Sequence, residues 1–471
     1  MTALPHLRNP ASTRPAERAP WQERRGPKPA ITGIPRRRRN ALRAVAAATA
    51  LLPLLRPGGP GNTAPVDVFL IVAIVATAIW AVSGSQRLRL PYGAPVGVMM
   101  AAGAIAAMRG AYPGQGLIAI AQDLLLLLWC GAIAVVGRDP SSLRTIMRTW
   151  SIAAIVSASL TVVGSVGHIT MLSGTTARTG ARVAFTLGDA NLAANYFMLS
   201  LFVVAAARYP GGRARRMASY LVLIVAVLLT GSNGAPLALA VGLAAAAAIS
   251  LGRRRGLIYA LAACAVGGLV VLGATSMVNL NQLETRAAHY GQLGKDSAGH
   301  SQESTSTRST LLHETLNLYF HGPLLGRGPG STKPTLHADQ VPYVKEAHND
   351  YTGTLVERGV LGGLGLILLL GAVWVRAWSV LSRPRLAATG GAVAYLPPLL
   401  GGLIAMAVSG AFYQVLHFRH LWALLGILAA LYASARVSDD DEAQVAAGVG
   451  DDPWRSPPSG RAPGPAVRRL S

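Results

Sequence analysis

Hydrophobic residues in this chain are gathered into long stretches separated by short polar connections. Some of these stretches reach, and others approach, the ~17–25 residues that a helix needs to cross a lipid bilayer. Long apolar runs without strict alternation are typical of membrane helices. The pattern therefore predicts an all-α integral membrane protein with about twelve transmembrane helices. The segments lie near 41–56, 66–82, 94–108, 116–136, 150–172, 191–207, 217–230, 234–251, 257–278, 355–375, 390–412 and 420–435.

Arginine is concentrated in every second connection between these segments. Positive residues accumulate in cytoplasmic loops, so the richer set of connections is predicted to lie inside. This places both termini in the cytoplasm and the protein in the cytoplasmic membrane. The short inner connections hold fifteen arginines, namely Arg87, Arg89, Arg138, Arg144, Arg148, Arg208, Arg213, Arg215, Arg216, Arg253, Arg254, Arg255, Arg376, Arg383 and Arg385. The short outer connections hold four, namely Arg109, Arg178, Arg182 and Arg419.

Composition adds two tails to this membrane domain of residues 41–435. Residues 1–40 are rich in Pro and Arg and predict a disordered basic cytoplasmic tail, and 436–471 predict a second disordered cytoplasmic tail. Charged residues make up 13% of the chain, against about a quarter in soluble domains. The net charge of +23 is spread over membrane-flanking arginines, so we expect no nucleic-acid partner. Both cysteines lie in apolar segments, which predicts neither disulfides nor a metal site.

The connection between the ninth and tenth segments is much longer than the others and lies on the predicted outer side. Residues 279–350 contain six of the ten histidines in the chain. Within them, "RSTLLHETLNLYF" predicts an amphipathic helix on the membrane surface, and "GPLLGRGPGS" is a Gly/Pro turn cluster. Long connections are commonly functional. We therefore expect the chemistry of this protein in this large extracytoplasmic loop.

His348 ends that loop, in "EAHNDYTGTLVERGVLGGLG", directly before the tenth segment. It is a candidate catalytic residue, as a general base or hydrogen-bonding group at the membrane interface; the alternative is an exposed loop histidine. On a straight helix Glu357, nine residues later, faces half a turn away and is interpreted as a buried structural acid. Gly359 and Gly363 have the GxxxG spacing of closely packed membrane helices.

The arginines on the outer side suggest an anionic substrate. Arg182 lies nine residues before Asn191, at the start of the sixth segment, and Arg308 begins the predicted loop helix. The planar guanidinium group binds a diphosphate well. We interpret Arg182 and Arg308 as candidate diphosphate-binding residues, and Arg178 and Arg327 as solvated loop arginines.

Taken together, these stretches resemble the O-antigen ligase and O-antigen polymerase superfamily of bacterial envelope proteins. "HNDYTGTLVERGVLGGLG" resembles the His-Asn signature of that family, and "RVAFTLGDANLAANY" resembles its Arg followed by Asn-Leu-Ala. "RSTLLHETLNLYFHGPLLGRGPGS" resembles the Arg-led helix and Gly-x-Gly turn of the large loop. The resemblance covers roughly residues 60–435. Two positions depart from the pattern: Asn233 stands where an arginine is common, and Ala190 where a proline is common.

The resemblance implies a membrane glycosyltransferase of the C-type fold. Such a protein moves a glycan from a polyprenyl diphosphate donor to a hydroxyl of a glycan, lipid or protein acceptor outside the cytoplasmic membrane. The resemblance also implies that the protein needs no cofactor and no metal, and that membrane lipids surround it. Arg182 and Arg308 would bind the diphosphate and His348 would orient or deprotonate the acceptor. Asn191, Asn349 and Glu357 would support these residues.

Three other functions remain open at this point. A repeat-unit polymerase would use the same residues as a ligase. A polysaccharide transporter or flippase would place ionisable residues within spans, and only Asp67 and Asp123 are obvious acids there. A non-catalytic envelope scaffold would not depend on His348.

Overall fold

A computed structural model describes residues 35–54, 63–84, 90–175, 182–277, 309–340, 346–383 and 393–448. Within these ranges the protein is all-helical, without β-strands. Each of the twelve predicted apolar segments overlaps one long helix. These are α1 Arg36–Ala50, α2 Val66–Ser83, α3 Gly93–Arg109, α4 Pro113–Val136, α5 Pro140–Val166, α6 Ala190–Ala207, α7 Arg213–Leu229, α8 Gly234–Arg255, α9 Leu257–Met277, α10 Asp350–Leu381, α11 Leu396–Gly410 and α12 Arg419–Gly448.

Length and apolar character divide these helices into groups. Six are long and apolar enough to cross a membrane: α2, α4, α5, α6, α8 and α10. Four shorter apolar stretches lie in α3, α9, α11 and α12. The helices α1 and α7 are in neither group, and both begin with several arginines. The protein is therefore a multi-pass membrane protein, while the number of twelve crossings stays a prediction.

Apolar side chains are exposed along the outer faces of the bundle. On α2, Val68, Ile71 and Val75 are each about half exposed, while Leu70 and Ala73 on the opposite face are buried. A face of this kind is expected where a helix contacts lipid, because apolar surface is stable in the bilayer core. By contrast α6 is buried over most of its length. It forms the centre of the bundle.

The connections predicted to lie outside contact one another at one end of the bundle. The Thr186 hydroxyl donates a hydrogen bond to the Pro53 carbonyl at 2.6 Å, which joins the α5–α6 connection to the end of α1. Ser232, between α7 and α8, is hydrogen-bonded to Tyr413, between α11 and α12, at 2.9 Å. We call this end of the bundle the loop end, because the α11–α12 connection here also contacts the start of α10, where the large loop ends.

The connections predicted to lie inside meet at the opposite end. Arg38 of α1 forms an ion pair of 2.7 Å with Asp139 between α4 and α5. The Ser434 hydroxyl of α12 donates to the Arg138 carbonyl at 2.9 Å. This grouping agrees with a chain that crosses from one end to the other in successive helices.

The first and last helices extend into the two segments that were predicted to be disordered tails. The first helix begins at Arg36, so residues 36–40 are helical although they were predicted to be disordered. The last helix runs to Gly448, so the backbone of 436–448 is helical as well. Arginine, alanine and glutamate are good helix formers, and each segment continues a helix that already exists, which removes the cost of nucleation. The rest of both tails, 1–34 and 449–471, lies outside the described residues.

The tenth helix is broken at Gly359, where φ is 65° and ψ is −165°. The Gly/Pro turn of the large loop inserts at the break. The amides of Arg327 and Gly328 donate to the carbonyls of Val356 and Glu357, both at 2.9 Å. The GxxxG interpretation is therefore wrong for Gly359, whose role is to turn the backbone and admit the loop.

Two ion pairs are buried at the loop-end half of the bundle. Arg419 of α12 binds Asp67 of α2 through two nitrogen–oxygen contacts of 2.8 and 2.6 Å. Arg358 of α10 binds Asp123 of α4 at 2.6 Å. Both acids that the sequence placed within spans thus neutralise an arginine and connect distant helices.

Candidate functional site

Arg182 is held in a fixed orientation beside the start of α6. Its Nε donates to the Thr230 carbonyl at 3.0 Å, and its Nη2 donates to the Asn191 Oδ1 at 2.9 Å. The residue is half-buried. Its Nη1 has no hydrogen-bond partner among the described residues, and its charge is not paired there with any acid. Arg182 can therefore bind an anion that arrives from the loop end.

The Asn191 side chain has a second partner that the sequence analysis missed. Tyr413, in the α11–α12 connection of residues 411–418, donates its hydroxyl proton to the same Oδ1 at 3.1 Å. The Ser232 hydroxyl lies 2.9 Å from the Tyr413 hydroxyl. A polar and aromatic sequence between two apolar spans, "AFYQVLHF", was the available signal. It gave no indication of a partner 222 residues earlier in the chain.

His348 lies before the tenth helix rather than on it. Its φ of 46° is left-handed, and the helix begins at Asp350 with Asn349 as its N-cap. The Asn349 Oδ1 accepts hydrogen bonds from the amides of Tyr351 and Thr352 at 2.9 and 3.1 Å. Asparagine is a preferred N-cap. The argument from the helical phase of His348 and Glu357 does not apply, because the two residues do not share a straight helix.

The α11–α12 connection is bound to the residues that follow His348. The Asn349 Nδ2 donates to the Ala411 carbonyl at 3.1 Å. The buried Asp350 carboxylate accepts from the amides of Val415 and Leu416 at 2.9 and 3.2 Å. A carboxylate with two amide donors is a firm anchor. The connection therefore joins the Arg182–Asn191 contact on one side to the His348–Asn349 turn on the other.

Glu357 is buried on the next turns of α10. Its carboxylate accepts a hydrogen bond from the Thr332 hydroxyl at 2.7 Å. Together with Asp123, Asp350 and Arg358 it lines a cavity of about 30 Å³. A cavity of this size holds one or two water molecules. Glu357 thus connects the large loop to α10.

Two other positions were singled out from the sequence, namely Arg308 and Asn233. Arg308 lies outside the described residues, although the helix that it was predicted to begin is present at 309–320. Asn233, where the family pattern has an arginine, is exposed at the start of α8 and makes no capping hydrogen bond. Its neighbour Ser232 contacts Tyr413 instead.

Comparison with known proteins adds one match to this geometry. Residues 218–367 match the family model for O-antigen ligase, which confirms the resemblance to the O-antigen ligase and polymerase superfamily. The match includes His348, Asn349 and Glu357, and it ends before Tyr413. No curated protein matches the chain. Over these residues the protein is therefore similar to O-antigen ligases, and its apolar helices make it a multi-pass membrane protein.

Proposed function

We propose that this protein transfers a glycan from a polyprenyl diphosphate carrier to an acceptor hydroxyl on the outer side of the cytoplasmic membrane. The observation that carries the proposal is the α11–α12 connection, which joins Arg182 and Asn191 to the His348 turn. The family match supports it, because the matched description is a ligase.

The donor side of the reaction needs a stabilised leaving group. Arg182 is oriented by two hydrogen bonds and keeps donor groups for a diphosphate. A preorganised cation is more effective than a mobile one, since it costs no reorganisation when charge develops. Arg308 remains a predicted second contact. Asn191 and Tyr413 act as positioning residues for Arg182.

The acceptor side needs a group that takes a proton. The acceptor oxygen attacks the anomeric carbon of the donor sugar, and the bond from that carbon to the diphosphate oxygen breaks. The hydroxyl proton passes to His348, and the diphosphate leaves as an anion beside Arg182. Asn349 holds the turn that carries His348 in place.

The acids within the spans do not favour a transporter. Asp67 and Asp123 are each in a buried ion pair that connects two distant helices, so both acids have a structural partner and neither is needed to explain a transport pathway. A repeat-unit polymerase is distinguished from a ligase in a deletion strain. Long unattached glycans would support a ligase, and unpolymerised single repeats would show a polymerase.

The direct test is transfer by purified protein with a lipid-linked donor, measured per amount of membrane-inserted protein. For His348→Ala we expect the transfer rate to fall by about 10²–10⁴-fold, which is the typical contribution of general acid–base catalysis. Arg182→Ala should also lose most activity, and Arg182→Lys should restore little, since a point charge cannot copy the planar group.

The matched control is His313→Ala, which removes an exposed histidine from the same loop. It should retain activity. Wild-type activity in His348→Ala would refute the assigned role of the histidine. Wild-type activity in both His348→Ala and Arg182→Ala would refute the proposed function.

A further inference from the structure

A second cavity, of about 550 Å³, lies at the loop end between the α3–α4 connection and the Gly/Pro turn of the large loop. We call it the loop-end cavity. Its size is within the ~300–1,000 Å³ of small-molecule sites, so it can hold more than a single small ion. It is lined by Arg109, Gly110, Ala111, Tyr112, Pro323, Leu324, Leu325, Gly326, Arg327 and Thr335.

The charged residues that line this cavity in the described part of the chain are all positive. Arg109 and Arg327 both line it, and no acidic residue within the described ranges does. Neither arginine is in an ion pair with the part of the chain that the structure describes. The Nε of Arg327 is buried and lacks a hydrogen-bond partner there. Arg327, interpreted from the sequence as a solvated loop residue, is half-buried with an enclosed Nε, and a buried donor without a partner on a cation calls for an acceptor.

The position of Arg327 is built into the fold. Its amide is bonded to Val356 at the break in α10. A Cβ on Gly110 would lie 2.2 Å from the Arg327 carbonyl oxygen, and one on Gly322 would lie 3.2 Å from its Nε. Two glycines thus leave room for the backbone and the guanidinium group. The fixed backbone therefore places the guanidinium group at the cavity before any ligand binds.

The remaining walls suit a sugar. Tyr112 contributes an aromatic ring, and Thr335 can contribute a hydroxyl. The 24-residue helix α4 begins beside Tyr112, and no side chain caps its first turn. The positive end of the helix dipole adds to the two arginines. Apolar and aromatic walls with a few polar groups are typical of small-molecule sites.

We propose that the loop-end cavity binds a carboxylate-bearing sugar residue of the glycan, with Arg327 and Arg109 on the carboxylate and Tyr112 against the ring. This rests on the proposed function, because it presumes a glycan substrate. Planar guanidinium groups bind carboxylates through two parallel hydrogen bonds. The cavity is larger than an inorganic anion requires, which favours an anion carried by a sugar.

The test is ligand-dependent thermal unfolding of the full-length protein in detergent, with three probes at equal ionic strength. Glucuronate carries both features, glucose only the ring, and inorganic phosphate only the charge. Glucuronate should raise the unfolding midpoint by about 2–4 °C near saturation, and the other two should have much smaller effects. Arg327→Ala and Arg109→Ala should each raise the half-saturating glucuronate concentration at least tenfold.

Lys333→Ala is the matched control, because it removes an exposed positive charge from the same loop outside the cavity. It should bind glucuronate normally. Equal effects of glucose and glucuronate would overturn the role of the arginines. An equal or larger effect of phosphate would mean a general anion site for lipid head groups or the carrier diphosphate, and would overturn the sugar assignment.

Glucuronate binding and glycan transfer are measured separately, so the failure of this inference can be distinguished from the failure of the proposed function. Glucuronate that fails to bind wild type, while Arg182→Ala abolishes transfer, would refute the sugar site alone. Arg327-dependent binding of glucuronate, with normal transfer by Arg182→Ala and His348→Ala, would refute the proposed function alone.

Discussion

Asn191 is the residue at which two distant parts of the chain meet. Its single side-chain oxygen accepts hydrogen bonds from Arg182 and from Tyr413. The backbone of Asn191 is fixed as well, because the Asp189 carboxylate caps the first turn of α6. An amide oxygen has two lone pairs, so both donors are satisfied at once. The orientation of Arg182 therefore depends on a residue in the last loop-end connection.

Replacing Tyr413 by phenylalanine tests this dependence. We expect a loss of transfer of about three- to tenfold, since one net hydrogen bond contributes ~0.5–1.5 kcal/mol. The amount of inserted protein should not change. Tyr395→Phe is the matched control, because the Tyr395 hydroxyl is bonded to Ser250 at the opposite end of the bundle. Equal effects of both variants on transfer would contradict a positioning role for Tyr413.

At the scale of elements, α10 is two helical pieces held together by a loop. The turn at Leu324–Gly328 supplies hydrogen bonds that a continuous helix would make by itself, and the Val360 amide donates to the Leu324 carbonyl at 3.0 Å. The break separates the His348 end from the long apolar part. It also fixes the loop-end cavity to the helix bundle.

Gly359→Ala should destabilise this arrangement. The backbone conformation at Gly359 is one that only glycine adopts readily, with a cost of about 1–3 kcal/mol for other residues. A Cβ there would also lie 2.2 Å from the Leu324 carbonyl oxygen. We expect a lower unfolding midpoint in detergent. Gly371→Ala, on the same helix with open space around it, should unfold at or above the wild-type temperature. A Gly359→Ala variant as stable as Gly371→Ala would refute this account.

The Arg358–Asp123 ion pair ties α10 to α4 and should show strong coupling. Arg358→Met leaves a buried carboxylate without its partner, which costs about 3–5 kcal/mol. The double variant with Asp123→Leu should recover part of that loss, because the carboxylate that pairs with Arg358 is removed as well. Arg38→Met breaks the half-exposed pair with Asp139 and should cost at most about 1 kcal/mol. Additive losses in the double variant, measured by unfolding in detergent, would contradict the coupling.

For the whole molecule, the grouping of connections at two ends gives a direct test of orientation. Asn317 lies exposed in the loop helix and Ser382 lies exposed after α10, at the opposite end. In a Cys264→Ala background, which removes the exposed native cysteine, Asn317→Cys should react with an impermeant reagent in intact cells. Ser382→Cys should react only after permeabilisation. The reverse pattern would place the candidate site in the cytoplasm and refute the proposed function.

Hydropathy along the chain was sufficient to predict the helices, and short sequence motifs were sufficient to indicate the family resemblance. A membrane helix must satisfy its own backbone hydrogen bonds and face lipid, so its signal is local and can be read from consecutive residues. The signature around His348 is likewise continuous in sequence, and the match to residues 218–367 confirmed the family resemblance. His348, Asn349, Arg182 and Asn191 were chosen from such local stretches.

Only the tertiary structure decided which residues meet. Tyr413 reaches Asn191, Asp350 holds the α11–α12 connection, and Arg327 lines a cavity with Arg109. These contacts join residues far apart in the chain, and their side chains have no periodic or compositional signal. The break at Gly359 was also hidden, because a glycine in an apolar helix reads equally well as a packing position. Local sequence determines which helices form, whereas the site depends on how their ends are brought together.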